Sequence, residues 1–240
     1  MSVKSYPKVL SEDKTLELIV SGRSIARYGD GEFKMADHLA GIKSQNPDQR
    51  LTDRLAAILH DSGDCLVGIP NIRDVIARHT DDDKIRHWTR YLEFKSLLAP
   101  REYVSSFITR PDSAPWINTA EYWAKVESLW QGRDVCVVRG SGKSLTTADL
   151  NGARTVTEIL CPRNSAFSEY DSILDRILSV RPKRVLIGLG PTATLLAVDL
   201  CAKGIHAIDL GHLAMFLRKF RKGEPPIVTD EDKAVDRVPA

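Results

Sequence analysis

The chain of 240 residues carries 34 basic and 32 acidic side chains, a formal net charge of +2, with 42% apolar and 28% charged residues. That balance excludes the strongly basic surface of a nucleic-acid binder, and a chain this long buries a core without disulfide staples. Its four cysteines, Cys65, Cys136, Cys161 and Cys201, are widely spaced and mostly sit in apolar runs, which reads as buried thiols in a reducing compartment.

The first residues, MSVKSYPKVLSEDK, contain no apolar core of signal-peptide length. No stretch reaches the ~20 apolar residues of a membrane span, so the sequence predicts a cytoplasmic protein. Ser11 followed by Glu12 and Asp13 reads as a helix start, with the helix ending near Gly22. RSIARY (23–28) is a predicted strand, LTDRLAAIL (51–59) a helix, and CLVGIP (65–70) a strand stopped by Pro70. Three acids open a predicted helix over 81–98, YVSSFI (103–108) is a strand, and 117–130 is an amphipathic helix. DVCVVRG (134–140) and RTVTEIL (154–160) are strands. A helix over 166–180, a strand over 184–190, a helix over 192–204, a strand over 205–211 and a helix over 213–222 follow. This alternation predicts an α/β fold, Rossmann-like, with a mostly parallel sheet and helices on both faces. Residues 1–222 are expected to form a single domain, and the Pro-containing, charged segment 223–240 a loosely ordered tail.

Open α/β sheets bind ligands beyond the carboxyl ends of their strands. Polar, charged and glycine residues follow the predicted strands here: Gly29-Asp30-Gly31-Glu32, the 139–144 segment RGSGKS, Arg163-Asn164, Gly190-Pro191-Thr192, and Asp209 to His212. RGSGKS is not a P-loop, because Val137 stands where the first glycine of that motif is needed. GLGPTA (188–193) fits G-x-G-x-x-A with Asp209 at the next strand end, which keeps an NAD- or S-adenosylmethionine-dependent enzyme as an alternative. Gly190 and Thr192, at a helix start, could offer backbone and hydroxyl donors to phosphate.

Asp30 and Glu32 flank a single glycine. On a loop, both carboxylates can turn toward one hard cation, Mg²⁺ or Mn²⁺, that also binds substrate phosphate. Gly29 and Gly31 would let the backbone bend and a diphosphate approach, with Arg27 near enough to help. A solvated turn in which Asp30 caps the next helix is the other reading of the same tripeptide.

These segments resemble the GT-D-type glycosyltransferases. RYGDGEF (27–33) is similar to the family's R-F-G-D-G-E segment, and GIP (68–70), FITRP (107–111), ILCPRNSAFSEYDSI (159–173), GLGPTATLLAVDL (188–200) and AIDLGH (207–212) follow in family order. The resemblance implies a Rossmann-like fold and metal-dependent transfer of a sugar from a nucleotide donor, typically a UDP-sugar, to a glycan or lipid-linked acceptor. UDP-glucose is the first guess that it suggests. The D-x-E pair implies Mn²⁺ or Mg²⁺ on Asp30 and Glu32. Lys143, Arg110 or Arg163 would add positive charge at the diphosphate. Asp209 would meet a ribose or acceptor hydroxyl or act as base, and His212 would contact phosphate or metal. Two departures stand out: the loop after the central strand, RGSGKS, is short and basic, and Ala214 occupies a place where the family often has Asp. The last predicted helix clusters Arg218, Lys219, Arg221 and Lys222 around Phe216 and Phe220, a pattern that could touch an anionic membrane through residues 213–222. A non-catalytic nucleotide-binding module is the remaining alternative.

Overall fold

The computed structural model describes residues 6–38, 40–140 and 144–234. Each of the seven apolar runs forms a strand: β1 (Ile25–Arg27), β2 (Leu66–Ile69), β3 (Val104–Ser105), β4 (Asp134–Arg139), β5 (Thr155–Leu160), β6 (Arg184–Gly188) and β7 (His206–Asp209). They make one sheet in the order β3-β2-β1-β7-β6-β4-β5, with every pairing parallel. The central strands β4, β6 and β7 are buried almost end to end, as a sheet covered on both faces requires.

The helices are α1 (Glu12–Val20), α2 (Asp30–Asp37), α3 (Gln49–His60), α4 (Ile72–Arg78), α5 (Asp82–Thr89), α6 (Ala120–Glu127), α7 (Tyr170–Val180), α8 (Pro191–Ala202), α9 (Leu213–Arg221) and α10 (Asp230–Ala234). α8 lies on β1, β6 and β7 and carries α3 and then α2 on its outer side. α1 packs on α6, and Phe220 of α9 stacks on Trp123 of α6 with ring centroids 5.4 Å apart. The connections leave β6 toward β7 and β4 toward β5, in opposite directions from adjacent strands. Right-handed crossovers therefore put those two connections on opposite faces and open a crevice between them at the carboxyl edge.

Several elements differ from expectation for local reasons. The predicted strand over 103–108 ends at Ser105 because side chains take the backbone groups that a ladder would use. Arg27 Nη1 donates to the Ser106 carbonyl at 2.9 Å, and the Phe107 N–H donates to Ser105 Oγ at 3.1 Å. The predicted helix over 81–98 divides into α5 and a 3-10 helix, Arg90–Leu97, whose Tyr91 and Phe94 pack with Phe33. The expected helix over 117–130 narrows to α6, started by Thr119, whose Oγ1 accepts from the Tyr122 N–H. α4 arises where no helix was expected, capped by Asn71. Cys65 and Cys136 are buried as read, but Cys161 and Cys201 are only half-buried.

Candidate functional site

A cleft of about 630 Å³ opens along the carboxyl edge of the sheet. It gathers Arg27, Gly29, Asp30, Gly31, Glu32, Arg110, Arg163, Gly190, Asp209 and His212 from the expected set. Thr192 does not line it, and Lys143 lies outside the described residues.

The D-G-E segment forms the first wall, and its geometry corrects the loop expectation. Gly29 is the N-cap of α2, so Asp30 and Glu32 are its first and third residues. Glu32 Oε2 accepts from the Gly29 N–H at 2.9 Å, a one-sided cap that sets where the helix starts, since glycine has no side chain to return the bond. Both acids sit at the positive end of the helix dipole. Asp30 is exposed and Glu32 half-buried. Loss of water around Glu32 pushes its carboxyl up to about 7, with the charge of Asp209 next in importance. Gly31 does not supply a bend here: a Cβ at that position would lie 2.9 Å from Ile42 Cδ1, so glycine makes room for a neighbouring turn.

The second wall is the end of β7. Asp209 Oδ1 accepts from the Gly211 N–H at 3.0 Å and lies 3.6 Å from Arg27 Nη2. Burial lifts the Asp209 carboxyl above its ordinary range, against the pull of Arg27. Arg27 Nη1 donates to Ser106 O at 2.9 Å and Thr109 Oγ1 at 2.8 Å, and Thr109 in turn donates to Leu210 O. The guanidinium thereby ties the ends of β1, β3 and β7 together. His212 is exposed in the cleft at the start of α9.

Between the walls lies the β6–α8 turn. Gly190, at φ +54°, is the N-cap of α8 and Pro191 its first residue. That backbone favours glycine, and proline costs nothing where its missing N–H has no helical partner. What faces the cleft is the amino end of a 12-residue helix, which suits an anion. The Thr192 hydroxyl is buried and has no hydrogen-bond partner among the described residues. It is therefore not presented to a ligand in the cleft.

The cations differ in how far they are committed. Arg110 binds Asp112 through two hydrogen bonds of 2.7 and 2.8 Å, and Lys84 reaches the same carboxylate at 3.2 Å. Burial opposes the Asp112 charge, but Arg110 and then Lys84 hold its pKa down at about 2. In α9 and at its C-cap, Arg218 pairs with Asp149, Lys219 with Asp232, Arg221 with Glu127 and Lys222 with Glu224. Leu213, Ala214, Phe216 and Leu217 are buried. The apolar face expected to meet a membrane thus packs inward, and the four basic groups already have acidic partners. No helix among the described residues is long and apolar enough to cross a membrane.

Lys43, Ser44, Lys84, His87 and Trp88 also line the cleft and escaped the sequence reading. None follows a strand. They come from the 40–48 turn after α2 and from α5, so a search of strand ends passes them by. Among the described residues no group of three histidine, cysteine or acidic side chains is placed to hold a metal.

The sequence model of the family described as "Glycosyltransferase GT-D fold" matches residues 25–236. Two curated relatives are each 30% identical to this chain. "Probable glycosyl transferase Gly" of Streptococcus gordonii aligns over 228 residues, 90% of this chain and 33% of the relative. "Glycosyltransferase GlyD" of Streptococcus pneumoniae aligns over 221 residues, 84% of this chain and 26% of the relative. The chain spans about a third or less of the length of these two proteins. Similar solved structures include one described by the statement that "the highly conserved domain of unknown function 1792 has a distinct glycosyltransferase fold". Its TM-score is 0.81 at 30% identity, covering 92% of this chain and 83% of that one. Another, "A New Glycosyltransferase (DUF1792) from Streptococcus sanguinis", has a TM-score of 0.80 at 30% identity, covering 91% and 86%.

Proposed function

Since the chain belongs to the GT-D glycosyltransferase family, we propose that it transfers a hexose from a UDP-sugar, UDP-glucose first among them, to a glycan or lipid-linked acceptor in the assembly of a bacterial surface polysaccharide or glycoprotein. The observation that carries this reading is the facing of two features across one cleft: the acids at the start of α2 and the anion-ready amino end of α8.

The hard event in such a transfer is departure of the nucleoside diphosphate, on which negative charge grows as the sugar becomes cation-like. Asp30 and Glu32 offer hard oxygen donors, and their chemistry fits Mn²⁺ or Mg²⁺. With no third acidic, histidine or cysteine ligand beside them among the described residues, an ion there would complete its shell from phosphate and water. Such an ion, when bound, neutralises the leaving diphosphate. The chain supplies the rest. The α8 amino end orients a phosphate, Arg27 holds Asp209 and the strand ends in register, and Asp209 and His212 border the space left for the acceptor. Arg110 and Arg163 contribute positive potential to the same space.

Thermal denaturation with UDP, with and without Mn²⁺, tests the proposal. Stabilisation by UDP should require the metal and should vanish in Asp30→Ala. A donor panel scored for nucleotide release should then show turnover with at least one UDP-hexose. Metal-independent stabilisation by NAD or S-adenosylmethionine instead would overturn it.

A further inference from the structure

Among the described residues, five cationic side chains line the cleft: Arg27, Lys43, Lys84, Arg110 and Arg163. Arg27 is spent on Ser106, Thr109 and Asp209, and Arg110 and Lys84 share Asp112. Lys43 differs. It is exposed, lines the cleft, and makes no ion pair or side-chain hydrogen bond with any described residue.

Its backbone is nonetheless held firmly. The turn from Ile42 to Gln45 is closed by Ile42 N–H to Gln45 O at 2.9 Å and Gln45 N–H to Ile42 O at 3.1 Å. It is pinned to the opposite loop by Ser165 N–H to Ser44 O at 2.8 Å, Asn46 N–H to Ser165 Oγ at 3.1 Å and Phe167 N–H to Gln45 Oε1 at 3.3 Å. The residues on either side of Lys43 touch the two features that a diphosphate would have to meet. Ile42 lies against Gly31, between Asp30 and Glu32, and Ser44 Oγ lies 3.8 Å from where a Gly190 Cβ would stand. Lys43 is therefore carried at the tip of a rigid turn that bridges the acid pair and the α8 amino end.

We infer that Lys43 is a diphosphate-binding residue, whose ammonium neutralises the phosphates lying between Asp30–Glu32 and the amino end of α8 and stays with them as the sugar–oxygen bond breaks. This inference rests on the nucleotide-sugar reading above. A compact point charge on a flexible stem suits a ligand that must be held and then released, where a forked guanidinium would fix one geometry. A turn anchored at both neighbours leaves only the side chain to move, so little order is lost when it engages. The fold also explains the two glycines. Gly31 has no side chain so that Ile42 can close down, and Gly190 is favoured by the positive φ of +54° at which α8 begins.

Calorimetric titration of UDP and UMP, each with Mn²⁺, into the wild type, Lys43→Gln and Lys43→Arg tests the inference. Lys43→Gln should lose roughly tenfold in UDP affinity and clearly less for UMP, the size expected of one charge-assisted contact. Lys43→Arg should recover most of the binding, and both variants should melt with the wild type because the side chain holds nothing in the free protein. Equal UDP affinity in the wild type and Lys43→Gln would overturn the role of Lys43 while leaving the nucleotide-sugar reading intact. A wild type that binds neither UDP nor any other common nucleoside diphosphate would overturn that reading, and this inference with it.

Discussion

Arg27 Nη2 lies 3.6 Å from Asp209 Oδ1, and neither side chain is more than 8% exposed. The pair is a stitch between two strand ends rather than a source of net stability. Burial lowers the affinity of Arg27 for its proton and raises that of Asp209, so each charge is worse off than in water despite the other. A buried pair of this kind resists loss of one partner far more than loss of both. Asp209→Ala should destabilise the protein by about 3 kcal/mol, the low end of the 3–5 range, since Arg27 keeps Ser106 and Thr109. The double variant Arg27→Met, Asp209→Leu should lose clearly less than the sum of Arg27→Met and Asp209→Leu, because neither charge is then left buried alone. Urea denaturation of the two singles and the double would read it, and additive losses would contradict the account.

Gly211 meets the same guanidinium. Its backbone sits at φ +47°, and a Cβ there would fall inside the volume of Arg27 Nη2. Gly223 has a similar φ of +69° but open space where a Cβ would go. Gly223→Ala should cost only the backbone penalty, about 1 kcal/mol, whereas Gly211→Ala should cost roughly 2–4 kcal/mol because Arg27 cannot retreat without breaking its bonds. The difference between the two midpoints isolates the steric part. Equal losses would show that Arg27 yields freely.

His206 should make stability depend on pH below neutrality. Its Nε2–H donates to the Arg23 carbonyl at 3.1 Å, and its Nδ1 accepts from Arg184 Nε at 3.0 Å, which only the neutral ring can do. Burial, followed by the Arg184 charge, lowers its pKa to about 4. The unfolded chain takes up this proton first, near the ordinary pKa of about 6.5. The stabilisation is therefore complete above that value and is lost as pH falls from there toward 4. Allowing for partial exposure, the loss should be about 1–2 kcal/mol. His206→Asn should flatten the curve of melting temperature between pH 7 and 5; an unchanged slope would contradict the assignment.

Among the described cysteines, Cys201 should react first. The neighbouring Cys65 thiol, and after it Ser24, draw the Cys201 thiol down to about 6 against the cost of burial, and Cys201 is only half-buried. A thiol held below its ordinary range is richer in thiolate, the reactive form. Iodoacetamide labelling followed by peptide mass spectrometry should find Cys201 modified ahead of Cys136 and Cys161, whose thiols burial pushes up to about 11. Cys65→Ala should slow the Cys201 reaction severalfold at pH 7 by removing the neighbour that lowers its pKa.

Much of this protein was readable along the chain. Seven apolar runs became seven parallel strands, because β-rich segments between helical ones leave few other ways to bury both sheet faces. From that pattern alone the carboxyl edge could be named as the place for a ligand, and ten expected residues do line one cleft there. What a strand-by-strand reading could not reach is decided by distant partners. The sheet order, with β7 beside β1, is not encoded in any local period. The D-G-E segment starts a helix because Glu32 bonds back to Gly29, although glycine lacks the side chain that usually marks such a cap. β3 stops early because Arg27 arrives from β1, and Thr192 turns into the core while Lys43 turns into the cleft. Period and composition determine which segments are buried, since burial of apolar area is summed over many residues. Which polar atom meets which is set only when the strands are side by side, because a hydrogen bond depends on distances of a few ångströms between residues far apart in sequence.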